Sequence, residues 1–322
     1  MNKASARAGA NIALVKYWGK RDPRLNLPAA GSLSITLSRL ETITRIEADS
    51  SLAADCFELD GQFCDATAIS AVLNLLRPAD APRCRVISRN HFPTAAGLAS
   101  SAAGYAALVV AAAAIFQPGL DRQQLSAVAR RGSGSAARSL FGGFCEWHAG
   151  VAEDGSDCRA EALQDAEHWP LEVVIAITDT GPKAVSSRDG MNRTMATSPY
   201  YPAWVASVSS DLADARRAIA DRDFDALAEV SEHSALKMHA SAMAARPGLI
   251  YWNAATLTCM RAIRELREKG VGVFFTIDAG PQVKAVCLPG EGDRVAAELK
   301  LITGIHQILR SGLGPGASLL DS

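Results

Sequence analysis

The sequence predicts an α+β fold, and three observations carry that expectation. Residues 33–38 and 42–47 alternate apolar and polar side chains with period two, as half-buried strands do. Three helical segments then follow one another at about 203–220, 223–242 and 253–269 with no strand between them. Strands and helices are thus grouped without strict β-α-β alternation, which favours α+β packing. At 322 residues the chain suits two packed domains rather than one small core, and we expect them at 1–180 and 181–322.

In chain order, Leu59-Asp60-Gly61 reads as a hairpin turn, 66–76 as a short helix and 83–88 as a strand. The strand leads into Pro93–Gly104, a run of small residues with adjacent hydroxyls at Ser100 and Ser101, followed by the apolar series 105–116. Asp121 is placed to cap a helix ending in Arg130 and Arg131, which Gly132 breaks before a second short helix. Residues 173–178 form a buried strand. The segment 181–201 is polar and aperiodic, which suggests a long functional loop and the domain boundary. Strands at 272–277 and 283–288, a helix at 293–301 and a Gly-rich tail complete the chain, with no internal repeat.

Bulk properties exclude several classes. The formal net charge of -1 gives no whole-molecule attraction to nucleic acid or anionic lipid. Seven cysteines, an odd number without CxxC or Cys/His spacing, point to free thiols in a reducing cytoplasm rather than disulfides or a zinc site. The N-terminus lacks the apolar core of a signal peptide. Residues 92–116 carry no charge, but their alanine-rich composition suits a buried helix of about 16 residues better than a membrane span of about 20.

Four motifs carry chemistry. In Pro93–Gly104 small residues allow close backbone approach, and the following helix begins with unpaired N–H groups and a positive dipole end. That combination predicts an anion site for phosphate, with tight helix packing as the alternative. The segment lacks the Gly-Lys-Ser/Thr of a P-loop and the GxGxxG of a dinucleotide fold. Asn11–Arg21 sets Tyr17 and Trp18 between Lys16 and Lys20, either as site residues or as an amphipathic strand with snorkelling lysines. Arg131–Gly143 offers a second helix start with Ser133 and Ser135, and Arg138 able to fork onto a carboxylate or phosphate. A flexible turn with a solvated arginine is the alternative. Phe274–Pro281 ends an apolar strand on Asp278, a turn former or a general base or metal ligand at the strand's lip. The histidines form no metal-like cluster, and His233 and His239, six apart on one helix, read as structural.

With the motifs KYWGKRD, FPTAAGLASSAAG, GSGSAARSLFGG and DAGP in one order, the chain resembles the diphosphomevalonate decarboxylases of the GHMP kinase superfamily over essentially its whole length. The resemblance implies a ribosomal protein S5 domain 2-like N-terminal domain with a left-handed β-α-β nucleotide site, and a ferredoxin-like C-terminal domain. It also implies a cytoplasmic homodimer that uses ATP and Mg²⁺ on a phosphorylated mevalonate. On the same basis Asp278 activates the substrate's 3-hydroxyl, Lys16 keeps Asp278 ionised, Arg138 orients the substrate carboxylate and Ser101 completes the catalytic set. Ser100, the loop residues Ala96, Gly97, Leu98 and Ala99, and Asn90 are expected at the nucleotide. Tyr17, Trp18, Gly19, Lys20, Ser133, Gly134, Ser135, Ala136, Ala137 and Thr197 are expected at the substrate's phosphate end. No protein metal ligand is assigned.

Two departures stand out. Family members usually read Leu-Pro-x-Asn-x-Ser where this chain has Leu27-Pro-Ala-Ala-Gly-Ser32. An arginine often found after Gly61 is replaced by Ala66-Thr67-Ala68. A decarboxylase of mevalonate 5-phosphate, a 3-kinase or a non-catalytic nucleotide-binding protein are the competing readings.

Overall fold

The structure, a computed structural model, describes residues 2–92, 100–181 and 183–320. The first part of the chain builds β1 (Lys3–Val15), the small hairpin β2 (Lys20–Asp22) and β3 (Leu27–Pro28), and the long β4 (Ser32–Asp49). It continues through β5 (Cys56–Leu59), β6 (Gln62–Cys64), α1 (Thr67–Leu73), β7 (Arg83–Asn90) and α2 (Ser100–Phe116). Next come α3 (Arg122–Gly132), α4 (Ala136–Ser139), β8 (Phe144–Trp147) and β9 (Ala160–Gln164).

These strands join one sheet in the order β14-β1-β4-β7-β5-β6, where β14 is Ser318–Leu320, and the β8–β9 pair branches off β4. The expected strands 33–38 and 42–47 are halves of β4. Exposed Ser38 and Arg39 interrupt the alternation, but the ladder with β1 runs past them. The two sides of that interruption differ in partner, β8 before it and β7 after it. At the register shift between Gly9 and Asn11 a Cβ on Gly9 would stand 2.4 Å from the Leu37 carbonyl oxygen, so a side chain there would force the strands apart.

The β5–β6 turn falls at Asp60 and Gly61, both at positive φ, the geometry a two-residue hairpin of the primed type needs. Asp121 caps α3 in a capping box with Gln124. α2 is apolar nearly all round, and its alanines pack against Ala4, Ala6 and Ala8 of β1, which brings helix and sheet close together.

The second part contributes β10 (Glu172–Ile177), α5 (Ser187–Thr197), α6 (Tyr201–Asp221), α7 (Phe224–Met243) and α8 (Ala254–Glu268). β11 (Val273–Ile277), β12 (Val283–Cys287), α9 (Gly292–Lys300) and β13 (Gln307–Gly312) follow. Their antiparallel sheet has the order β11-β12-β10-β13, the arrangement of a ferredoxin-like β-α-β-β-α-β unit with extra helices in its first crossover. α8 and α9 cover one face of this sheet. α7 packs on both β1 and β11, and a core including Leu33, Ile35, Trp204, Leu227 and Phe274 joins the two halves.

Three features differ from the sequence reading. β10 ends at Ile177 yet pairs with β12 and β13, so the chain enters its second sheet before residue 180. An apolar strand carries no local mark of which sheet it will join. The 181–201 segment contains α5, whose N-cap Ser186 accepts from the Asp189 N–H. Its propensity is poor, and burial of Gly190, Met191 and Thr194 stabilises it instead. The Gly-rich tail holds β13 and β14, the latter returning to pair with β1. Among the described residues no helix is long and apolar enough to cross a membrane.

Candidate active site

A cavity of about 560 Å³ opens where the two halves meet, within the range of small-molecule sites. One wall is built around Arg138. The turn 132–135 delivers the chain into α4, which buries the arginine against the first sheet at 2% exposure. Asn11 of β1 donates through Nδ2 to Ser135 O (2.9 Å) and Ser139 Oγ (2.7 Å), which fixes its amide. Its Oδ1 then accepts from Arg138 Nε (3.3 Å) and Nη2 (3.0 Å), while Nη1 donates to Ser32 Oγ. Burial pulls the guanidinium pKa below its ordinary value, although the group stays charged. All of these side-chain partners are neutral, so a buried cation is left electrostatically incomplete.

The opposite wall is built around Asp278, at the tip between β11 and β12. Lys16 Nζ, at the end of β1, donates to Asp278 Oδ1 at 2.7 Å and to Ala13 O at 2.8 Å. Lys284, on β12, places its Nζ 3.2 Å from Asp278 Oδ2. Both lysines are buried, and the aspartate faces the cavity at 29% exposure. Burial alone would raise the Asp278 pKa, but Lys16 and Lys284 together hold it well below the usual carboxylate range. Burial pulls Lys16 down to about 8, with Asp278 opposing that shift. His239, behind this pair, is pushed down to about 3 by burial and packs on Trp252, which agrees with a structural role; His233 is exposed.

A third wall carries hydroxyls and cations. Ser100 and Ser101 open the described part of α2, and Ser101 Oγ lies 3.4 Å from Ser133 Oγ, itself 3.4 Å from Ser135 Oγ. Tyr17, Trp18 and Lys20 line the same space, with Lys183, Ser187 and Arg188 reaching over from the segment around α5. Burial lowers the Lys183 pKa, with Lys284 adding to the effect. Burial likewise lowers Lys20, with Arg188 adding. Such a surplus of positive charge suits a polyanionic ligand.

Of the residues expected at the site, Lys16, Tyr17, Trp18, Lys20, Ser100, Ser101, Ser133, Gly134, Ser135, Arg138 and Asp278 line this one cavity. Gly19 supports it from behind at φ 97, where a Cβ would meet the Tyr201 hydroxyl at 2.0 Å. Ala136 and Ala137 are fully buried in α4 and pack into the core instead. Thr197 is engaged elsewhere: its Oγ1 donates to Arg193 O and accepts from the Arg246 N–H. Asn90 stands at the end of β7, bonded to Thr42 and Asp60, outside the cavity lining among the described residues. Ala96, Gly97, Leu98 and Ala99 lie outside the described residues. Ala66 and Thr67 line a separate groove beside Asp55 and Cys64.

Sequence reasoning missed Asn11, Ser32, Lys183, Arg188 and Lys284 as site residues. Lys284 had a signal, a single charge inside the apolar run of β12. Asn11 and Ser32 had none, because their task appears only once β1 and β4 carry them to Arg138.

Residues 8–160 match the family model for the diphosphomevalonate decarboxylase-like N-terminal domain, and residues 173–308 that for the mevalonate 5-diphosphate decarboxylase C-terminal domain. The diphosphomevalonate decarboxylase of Candida albicans is 36% identical over 98% of this chain and 97% of its own length. The chain belongs to the diphosphomevalonate decarboxylase family. The mevalonate diphosphate decarboxylase of Staphylococcus aureus superposes with a TM-score of 0.93 at 36% identity, over 99% of this chain and 98% of that one. A second solved structure of the family, MDDEF in complex with MVAPP, AMPPCP and magnesium, gives 0.92 at 38% identity, covering 99% of both chains. Likeness at this level over both halves establishes the two-domain GHMP kinase fold.

Proposed function

We propose that this protein catalyses the ATP-dependent decarboxylation of (R)-5-diphosphomevalonate to isopentenyl diphosphate, ADP, phosphate and carbon dioxide. The observation that carries the reading is one cavity holding an ionised, lysine-bound Asp278 opposite a buried Arg138 that has no carboxylate partner among the described residues. Complexes of family members with MVAPP, AMPPCP and magnesium support it.

Hydroxide is a poor leaving group, so the tertiary 3-hydroxyl first takes the γ-phosphoryl group of ATP. Asp278, kept ionised by the two lysines that contact it, orients that hydroxyl toward the phosphorus. The C3–O bond then breaks, phosphate leaving with its electron pair. The C1–C2 bond follows, its electrons closing the C2=C3 double bond as carbon dioxide departs. Arg138 holds the departing carboxylate in line, its fork aimed by Asn11 and Ser32. Lys20 and Arg188 supply charge for the diphosphate end, with the Tyr17 hydroxyl and Ser133 to Ser135 completing that subsite.

The described residues hold no group of three His, Cys, Asp or Glu side chains that could cage a metal, and Asp278 is already engaged by two lysines. This donor set fits Mg²⁺ carried on nucleotide phosphates and water, and the Ser100 and Ser101 hydroxyls, which line the cavity, would help to hold it. Its contribution when bound is to neutralise phosphate charge. Asn90 and the 93–99 segment belong to the nucleotide side of the proposal, on the resemblance alone. Cytoplasmic location is supported by seven unpaired cysteines. A homodimer follows from the resemblance and is checked by sedimentation.

Purified protein given ATP with mevalonate, its 5-phosphate or its 5-diphosphate tests the reading. Carbon dioxide and ADP are expected in equal amounts from the 5-diphosphate. Carbon dioxide from the monophosphate only, or ADP without carbon dioxide, would overturn it.

A further inference from the structure

Asp278 is gripped from both halves of the molecule at once. Lys16 arrives from the first sheet onto Oδ1, and Lys284 arrives from the second sheet onto Oδ2. The backbone beneath the aspartate is already fixed. Gln282 ties the β11–β12 tip to the end of β10, accepting from the Thr178 N–H at 2.6 Å and donating to Asp179 O at 2.6 Å. Lys284 lies opposite Thr276 in the β11–β12 ladder, and the Thr276 hydroxyl donates to Ala13 O, the same carbonyl that Lys16 Nζ holds. Lys16, Thr276 and Lys284 thus share one small junction between the sheets.

A carboxylate bound through one oxygen can still swing about its last torsion, whereas one bound through both has its plane set. Lys284 is 2% exposed, and among the described residues its ion-pair partner is Asp278. A buried lysine inside an apolar strand is destabilising unless a charge compensates it, so its placement calls for a partner of this kind.

We propose that Lys284 is a positioning residue for the phosphoryl-transfer step: by holding Oδ2 it fixes the plane of the Asp278 carboxylate and keeps it ionised, so that the remaining lone pairs face the substrate hydroxyl. The inference rests on the reaction proposed above. Lys16, Lys284, Lys183 and Arg138 are the cations facing the carboxylate, and His239 packs behind it in the neutral form. Removing Lys284 takes away one of the two direct contacts that keep the aspartate ionised, and leaves Lys16 alone to hold it.

The test is the steady-state kinetics of Lys284→Met and Lys284→Arg in full-length protein, with ATP and the 5-diphosphate. Lys284→Met should lower kcat about tenfold or more with both KM values within about twofold. Lys284→Arg, which keeps a cation for Oδ2, should recover most of that loss. An unchanged kcat in Lys284→Met, or no recovery in Lys284→Arg, overturns the assignment. So does a raised KM for ATP with kcat unchanged, which would make Lys284 a nucleotide ligand. If Lys284→Met does not fold, Lys284→Gln keeps a polar stem and serves in its place. Carbon-13 titration of the Asp278 carboxyl without substrate needs no turnover, so it separates failure of this inference from failure of the reaction itself. Protonation at a higher pH in the Gln variant supports the clamp, and protonation at the wild-type pH refutes it.

Discussion

Arg138 and Lys16 are both buried cations in one cavity, yet they are held in opposite ways. Lys16 meets a carboxylate at 2.7 Å, so its charge is largely balanced inside the protein. Arg138 meets an amide and a hydroxyl, so its charge remains directed at whatever enters. On the function proposed above the contrast divides the labour: one end keeps an aspartate ionised, and the other is suited to an anionic group of the substrate. A lone cation motif in a sequence cannot tell these uses apart.

Breaking the Asp278 end should have the largest effect. Asp278→Asn is expected to lower kcat by about 10³-fold or more, in both ADP and carbon dioxide formation, while ATP still binds by calorimetry. Near-normal turnover would remove Asp278 from the mechanism. At the other end, Arg138→Ala should lower kcat/KM by about 10²-fold, because a buried charged donor to the departing carboxylate is lost. Unchanged steady-state kinetics would move the carboxylate contact elsewhere.

The pH response should separate the two ends. Lys16 is protonated below about 8 and loses its charge above that value, so kcat should fall as pH rises through about 8. Arginine does not titrate in this range, so Lys16→Arg should push that limb to higher pH; a limb that stays put would assign it to another group. Asn11→Ala leaves both cations in place but frees the Arg138 fork, and an increase in KM of about tenfold is expected, since a hydrogen bond to a charged group is worth about 1.5–3 kcal/mol. Asp121→Ala, at the cap of the helix that leads into the Arg138 turn, should cost about 1 kcal/mol in a denaturation midpoint and leave kcat unchanged. A loss of activity there would mean that the Arg138 wall depends on its helix start.

Much of the fold was legible because its signals are local. Period-two alternation located β4, Asp-Gly located the β5–β6 hairpin, and Asp121 located the start of α3. α5 was missed because burial of Gly190 against Trp18 and Tyr251, not propensity, makes it helical. No local signal shows that β10 joins the second sheet, because its partners lie far along the chain.

The site divides in the same way. Residue types and motif order singled out Lys16, Arg138, Asp278 and the serine-bearing helix starts, and the structure gathers them around one cavity. Only the tertiary structure decided that Asn11 and Ser32 aim the arginine, that Lys183 and Arg188 close over the cavity, and that Lys284 takes the second oxygen of Asp278. The physical reason is distance along the chain. Lys16 and Asp278 are 262 residues apart and meet only because two sheets from opposite halves of the chain share a buried junction. Sequence pattern records what each segment buries, and the fold determines which buried charges must then satisfy one another.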